Sequence, residues 1–371
     1  MLDDLTRPLG LPDPAGKRRL SPVIVFGIPV AAIVAAAAIF VAMRFGGGGN
    51  PPVVARITGT DPVVTSSIAP PAPQPGTPGL SEVKPTGKLA PLGGGDVVIH
   101  DPNAPEPVRL AALPRNDLIE PSNYGSLPRI GADGTRPIEA YKRPADPANG
   151  MFRVAIVVGG IGLSEDVAPA LAALPGAVTL GVAPYGRDMA KTVADARAAG
   201  HEILLQVPLE PYGYPDVNPG PKTLTTDAPN GQNLDRLRWL MSRATTYVGV
   251  VSYMGGRFSA NADKLAPVLS EIGKRGLLYL DDGTAARSQA GEVAGSTPFL
   301  QADIVLDADT DPAAIDARLD DLVSAARSRG WAIATGSAFP STIDRIANFA
   351  KTAASHGILI VPITALLPAR T

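Results

Sequence analysis

Arg153-Val154-Ala155-Ile156-Val157-Val158-Gly159-Gly160-Ile161-Gly162 is the stretch on which the fold turns. An unbroken apolar run closed by glycines reads as a strand buried on both faces, as in a parallel sheet covered by helices. Downstream the same texture repeats. Strands are predicted near Val178–Val182, Ile203–Gln206, Val248–Val251, Leu277–Leu280, Ile304–Leu306, Ala332–Thr335 and Ile358–Val361. Amphipathic helices fill the gaps at Arg187–Ala199, Leu234–Thr245, Ala262–Lys274, Pro312–Arg329 and Thr342–Ser355. Gly200, Gly276 and Gly330 stand where a helix stop requires a left-handed residue. Strand–helix alternation over this length indicates one barrel-like α/β domain, with an open doubly wound sheet as the alternative. Gly159-Gly160-Ile161-Gly162 lacks the GxGxxG spacing and its acidic partner, so nothing supports a nucleotide.

Upstream the composition changes. Ser21 to Met43 is an uncharged apolar run, long enough at roughly 20 residues to cross a bilayer. Lys17, Arg18 and Arg19 precede it, which places residues 1–20 in the cytoplasm and everything after Arg44 outside. The rival, a cleaved signal peptide, has a shorter apolar region and a small-x-small cleavage site, which Phe40-Val-Ala-Met-Arg-Phe45 does not provide. Residues 44–150 are rich in proline and glycine and read as a flexible tether, leaving 151–371 as the domain. Val97–Ile99 and Val108–Leu113 are apolar enough to dock on it, or are simply less polar linker.

The net charge of −2 gives no electrostatic reason to bind nucleic acid. With no cysteine, thiolate catalysis and cysteine metal sites are excluded. In parallel barrels chemistry sits at the carboxyl ends of strands. Of three histidines, His100 lies in the tether, and His201 and His356 precede strands, at the wrong end. Asp281-Asp282 is the strongest chemical signal: adjacent carboxylates can bind a cation, or one can act as a base. The alternative is that Asp281 caps a loop while Asp282 faces solvent. Glu210, Arg257 and Arg287 are either part of a polar cleft or ordinary rim charges.

In this order the strand ends resemble the divergent polysaccharide deacetylase family of the bacterial envelope. The resemblance is carried by Leu174-Pro175, Gly200-His-Glu-Ile-Leu-Leu205, Pro208-Leu-Glu-Pro211, Gly249-Val-Val-Ser-Tyr-Met-Gly-Gly256, Leu280-Asp281, Leu306-Asp307 and Ala334-Thr-Gly-Ser-Ala-Phe-Pro340. It covers about Arg153 to Leu367. It implies a distorted (β/α) barrel of the polysaccharide deacetylase type, here preceded by a transmembrane helix and a Pro/Gly-rich tether. The wider superfamily holds a divalent metal with an Asp and two His, helped by a second carboxylate and a further His. Where those are expected, this chain carries Gly159, Gly160, Tyr253 and Ser337, and Gln206-Val207 precedes Pro208. Asp281 and Asp307 match the family pattern, but two carboxylates without imidazole are a weak zinc site.

A metal lowers the pKa of its bound water from near 16 to roughly 7, and without it that mechanism has little to run on. The leading expectation is therefore a membrane-anchored periplasmic domain that no longer deacetylates. It would bind envelope polysaccharide, peptidoglycan or a cell-wall enzyme, with no cofactor. The substrate-binding side chains expected are Gln206, Tyr253, Arg257, Thr284, Arg287 and Ser337. One alternative is an active metal-dependent deacetylase in which Asp281, Asp282, Asp307 and Glu210 converge. Another is an interaction scaffold anchored by Tyr212, Tyr214 and Trp239.

Overall fold

The computed structural model describes residues 108–164 and 168–368. The anchor expected at 21–43, the first part of the tether and His100 lie outside them. Among the described residues no helix is long and apolar enough to cross a membrane.

Following the chain, a hairpin of β1 (Ile119–Ser122) and β2 (Gly125–Pro128) and a single turn, α1 (Pro137–Ala140), precede the main sheet. That sheet begins with β3 (Phe152–Ile161), followed by α2 (Ala168–Leu171), β4 (Thr179–Val182) and α3 (Met189–Ala198). Then come β5 (Ile203–Leu209), α4 (Asn230–Met241), β6 (Gly249–Met254), α5 (Ala262–Lys274) and β7 (Leu278–Asp281). The last part holds α6 (Ala290–Val293), β8 (Phe299–Gln301), β9 (Ile304–Val305), α7 (Pro312–Arg329), β10 (Trp331–Ser337), α8 (Pro340–Thr352) and β11 (Ile358–Ile360).

Every strand pair in the main sheet is parallel, in the order β8-β7-β6-β5-β4-β3-β10-β9, with β11 beside β3. β8 and β9 stand at opposite edges, yet only Ala302 and Asp303 separate them in the chain. Ala302 N–H bonds to Asp281 O on one edge (2.9 Å), and Asp303 N–H bonds to Ile333 O on the other (2.8 Å). A flat sheet cannot satisfy both bonds. The sheet therefore curls into a distorted barrel, and the open doubly wound alternative is set aside. Gly200, Gly276 and Gly330 adopt φ of +92°, +70° and +92°, as the helix stops required.

Alternate strand residues go to different cores. Val154, Ile156 and Val158 of β3 join Leu205, Val250 and Ala334 in the layer under the helices. Ala155, Val157, Leu204, Leu280 and Ile333 fill the barrel interior. Continuing the inward register of β3, β5 and β10 by one step brings Gly159, Gln206 and Thr335 to the interior at the carboxyl end.

At the opposite end the interior is stoppered by residues expected to be tether. Leu118, Ile138 and Tyr141 are buried in the same interior cluster, together with Ile363 and Leu366 from after β11. Val108–Leu113 docks as well: Leu110 N–H bonds to Arg197 O (3.1 Å). The buried Arg197 guanidinium donates to Ala111 O and Tyr141 O and lies 5.4 Å from the Tyr141 ring centroid. Glu202 accepts from Arg143 N–H (2.7 Å) and Thr364 N–H (3.2 Å), tying both flanking segments to the barrel. Residues from Val108 onward, and not only from Met151, are therefore packed into the barrel domain. Composition misled because these prolines occupy places that tolerate them, the first helical position (Pro137) and the ends of a short hairpin (Pro128).

Emptying the stopper should be costly. Tyr141→Ala is expected to lose about 3–5 kcal/mol in urea unfolding, whereas Leu113→Ala on the surface should change stability by less than about 0.5 kcal/mol.

Candidate functional site

A cavity of about 960 Å³ opens over the carboxyl ends of the strands. Its floor is set by the inward register: Gly159, Gly160, Gln206, Ser252, Asp282, Thr335 and Ser337 line it. Thr335 Oγ1 donates to Asp282 O across the floor (2.7 Å), linking the end of β10 to the end of β7. Leu163, Tyr212, Tyr253 and Phe339 also line it, and all four are exposed. Most large hydrophobic side chains of this domain are buried, so an exposed group around one mouth makes the mouth a candidate binding surface. Met254 adds a strained backbone, φ +62°, directly after Tyr253.

Gln206 organises the floor. Gly160 N–H donates to its Oε1 (2.7 Å), which fixes which end of the amide is oxygen. A Cβ added to Gly159 would stand 2.5 Å from Gln206 Nε2. Gly160 has φ +83°, where a side chain is strained. The amide thus occupies the room a carboxylate on residue 159 would need, and the backbone at residue 160 disfavours one there.

The candidate acids separate. Asp281 is buried and turned toward its own loop, accepting from Gly283 N–H (3.0 Å) and Ser288 Oγ (2.5 Å). Asp282 does not face solvent. It lines the cavity, with Oδ1 accepting from Thr284 N–H (3.0 Å) and Thr284 Oγ1 (2.7 Å). Burial pushes its carboxyl up to about 7, against the Thr284 bonds, with the neighbouring Asp281 charge adding to the rise. Asp307 lines the same cavity and accepts from Ser337 N–H (2.6 Å) and Thr342 Oγ1 (3.0 Å).

Glu210 is not brought to this site. Its carboxylate is buried against Arg257 (3.0 Å) and accepts from Thr226 N–H and Oγ1, while Arg257 lines a separate outer recess. Arg287 is also outside the lining, donating to Tyr212 Oη (3.0 Å) with its guanidinium 5.8 Å from the ring centroid. Among the expected substrate-binding residues, Gln206, Tyr253, Thr284 and Ser337 line the cavity, and Arg257 and Arg287 do not. Of the candidate interface anchors, Tyr212 is exposed at the mouth. Tyr214 is half-buried, and Trp239 packs on Tyr185 between Lys222 and Arg243. His201 is buried away from the cavity, its Nδ1 2.8 Å from Val178 O, and burial lowers its pKa. Leu163 and Phe339 escaped the sequence reading because they follow the strand ends by two residues, where periodicity no longer says which way a side chain points.

These residues do not fit a zinc-type ion. The cavity offers two carboxylates, one oxygen of each already hydrogen-bonded, and no imidazole or thiolate. Asp281 and Glu210 are committed elsewhere, and no group of three or more His, Cys, Asp or Glu suited to a metal occurs among the described residues.

A parallel barrel with its cavity over the strand ends defines an α/β barrel of the enzyme type. Residues 156–367 match the profile of the divergent polysaccharide deacetylases. The chain belongs to that family. It is similar to YibQ of Escherichia coli K12, 25% identical over 197 residues that cover 52% of this chain and 60% of YibQ. A Haemophilus influenzae Rd protein is 27% identical over 198 residues, 52% of this chain and 68% of that protein. This chain therefore spans about 60% of the length of its Escherichia coli relative. The crystal structure of ATU2773 from Agrobacterium tumefaciens C58 is 48% identical, covers 65% of this chain and 99% of that one, and superposes with a TM-score of 0.63.

Three substitutions test this geometry. Asp282 is neutral in both folded and unfolded chains below about pH 4, and above about 7 it must be charged while buried; its folded pKa lies above its unfolded one, so its contribution to stability is lost as pH rises through 7. Asp282→Asn keeps an acceptor for Thr284 and escapes that cost. It should match the wild type near pH 4 and exceed it at pH 8 by on the order of 1–2 kcal/mol, about 2–8 °C in Tm. Gly159→Asp should lose about 1–3 kcal/mol by displacing Gln206, and Gln206→Ala should recover part of that loss in a double-mutant cycle.

Proposed function

We propose that this protein is a membrane-anchored, periplasmic member of its family that binds envelope glycan in the barrel cavity without deacetylating it. The observation that carries this reading is the Gln206 amide, bonded to Gly160 N–H and filling the space beside Gly159 where the family's metal chemistry begins. A roomy cavity survives around it, rimmed by Tyr212, Tyr253 and Phe339. Aromatic faces receive the C–H faces of pyranose rings, and the hydroxyl and amide groups of Ser252, Thr284, Ser337 and Gln206 suit a ligand rich in hydroxyls. The basic residues before the apolar run at 21–43 support an inner-membrane anchor with the domain outside.

The second function, deacetylation by a carboxylate-only metal site, requires Asp281 and Glu210 to leave hydrogen bonds made deep in the protein.

The full-length protein should be retained by purified peptidoglycan sacculi and release no acetate from N-acetylated oligosaccharides, with or without added zinc, cobalt or nickel. Tyr253→Ala should weaken retention about tenfold while lowering Tm by no more than a few degrees, since Tyr253 is partly exposed at the mouth. Absence of retention would sink the glycan reading, and acetate release abolished by Asp282→Asn would replace it with the enzyme.

A further inference from the structure

Among the described residues, exposed large hydrophobic side chains gather at two places. Leu163, Tyr212, Tyr253 and Phe339 ring the mouth, with Val217 in the same loop as Tyr212. The others, Val108, Leu113, Tyr124 and Ile130, lie on the segments that build the stopper at the opposite end. Leu113 is 82% exposed, although Leu110 and Leu118 on either side of it are tied to the barrel. One exposed leucine is ordinary. This one stands among cations.

Lys274, Arg327 and Lys351 lie in the last turns of α5, α7 and α8, on the amino side of β7, β10 and β11. Arg109 and Lys142 belong to the stopper, next to Leu110 and Tyr141. All five are exposed, and none forms an ion pair with a described residue. Helix dipoles account for cations in last turns, but Arg109 and Lys142 are on no helix and add charge to the same end. Acids that could neutralise them are engaged by other arginines: Asp117 by Arg115, Glu139 by Arg136, Glu271 by Arg238 and Arg275, and Asp303 by Arg329. Only Asp133, bonded to Thr135, and the exposed Asp146 stand against them in the stopper segments. The mouth has the opposite sign. Asp282 and Asp307 line its cavity without a lysine, arginine or histidine, and Asp188 and Asp311 cap α3 and α7.

Resting on the membrane anchor in the reading above, we propose that the base of the barrel docks on anionic lipid of the membrane that holds the chain. Leu113 enters the headgroup layer, and Arg109, Lys142, Lys274, Arg327 and Lys351 face lipid phosphates. Surfaces that lie on bilayers combine apolar side chains that enter the interface with cations that attract anionic lipid. The same surface repels the acidic mouth, so the sign of the charge selects the orientation. Residues 44–107 are chain enough to let the domain stand off the bilayer, so the anchor alone does not bring the base down.

The chain has no cysteine, which allows single labels. Full-length protein carrying a dye on Ala354→Cys at the base, or on Val217→Cys at the mouth, is reconstituted into vesicles, and energy transfer to a headgroup-labelled lipid is read. Transfer from position 354 should rise about threefold when about a third of the phosphatidylcholine is replaced by phosphatidylglycerol. It should fall back near 1 M salt, where charges are screened beyond about 3 Å, while transfer from position 217 stays low. Leu113→Asp should remove most of the rise with Tm unchanged, and Lys274→Glu combined with Lys351→Glu should remove its salt dependence; if either variant fails to fold, the wild-type lipid and salt dependence decide alone. Transfer from 354 that ignores lipid charge, or does not exceed that from 217, overturns the docking and leaves the anchor standing, provided the protein floats with neutral vesicles. Protein that floats with neither vesicle overturns both.

Discussion

Two backbone hydrogen bonds hold the two ends of this sheet in register with each other. Ala302 bonds to the strand on one edge and Asp303 to the strand on the other, and the chain between β8 and β9 is too short for the edges to part. Curling follows from that constraint, and with it an inside. Once there is an inside, the period-2 alternation of β3, β5 and β10 dictates what fills it: Val157, Leu204 and Ile333 in the middle, Gly159, Gln206 and Thr335 above. The site is thus the next layer of the same stacking that makes the core, with polar groups and glycine where the layers below have apolar side chains.

That continuity explains why the floor is mutually locked. Gly159 has no side chain, Gly181 across the sheet would bring a Cβ within 3.2 Å of the Gly159 Cα, and Gln206 reaches into the room both leave. Small residues on two neighbouring strands and a long amide on the third fit together as one packing solution. Altering one member disturbs the others.

Most of the barrel was legible in the sequence because each strand is a continuous apolar run and several helices end on glycine. β8, with three residues, was missed for want of length, and the hairpin because its glycine and proline content matched that of a tether. At the site, the absence of histidine at the strand ends and the candidacies of Gln206, Tyr253, Thr284 and Ser337 were readable from strand-end position. The fates of Asp281 and Asp282 were not. Neighbours in a strand point to opposite sides, and a strand apolar on both faces does not say which side is inward; with Leu278 and Leu280 in the interior, Asp282 is the next inward residue and Asp281 turns to Ser288. Glu210 likewise followed a strand, but its partner Arg257 comes from another element, a contact no local pattern reveals.

The stopper at the barrel base also sets a direction. Val108 lies against Gly200, and the segment after it runs along Arg197 at the end of α3, where helices return toward the amino ends of the strands. The chain thus joins the domain at the pole opposite the mouth. Tension on the amino-terminal side would be borne by the Arg197, Tyr141 and Glu202 contacts and would orient the molecule like a cup held by its foot. Force applied at Val108 would pass into the base of the barrel, and the loops around the cavity mouth would carry none of it.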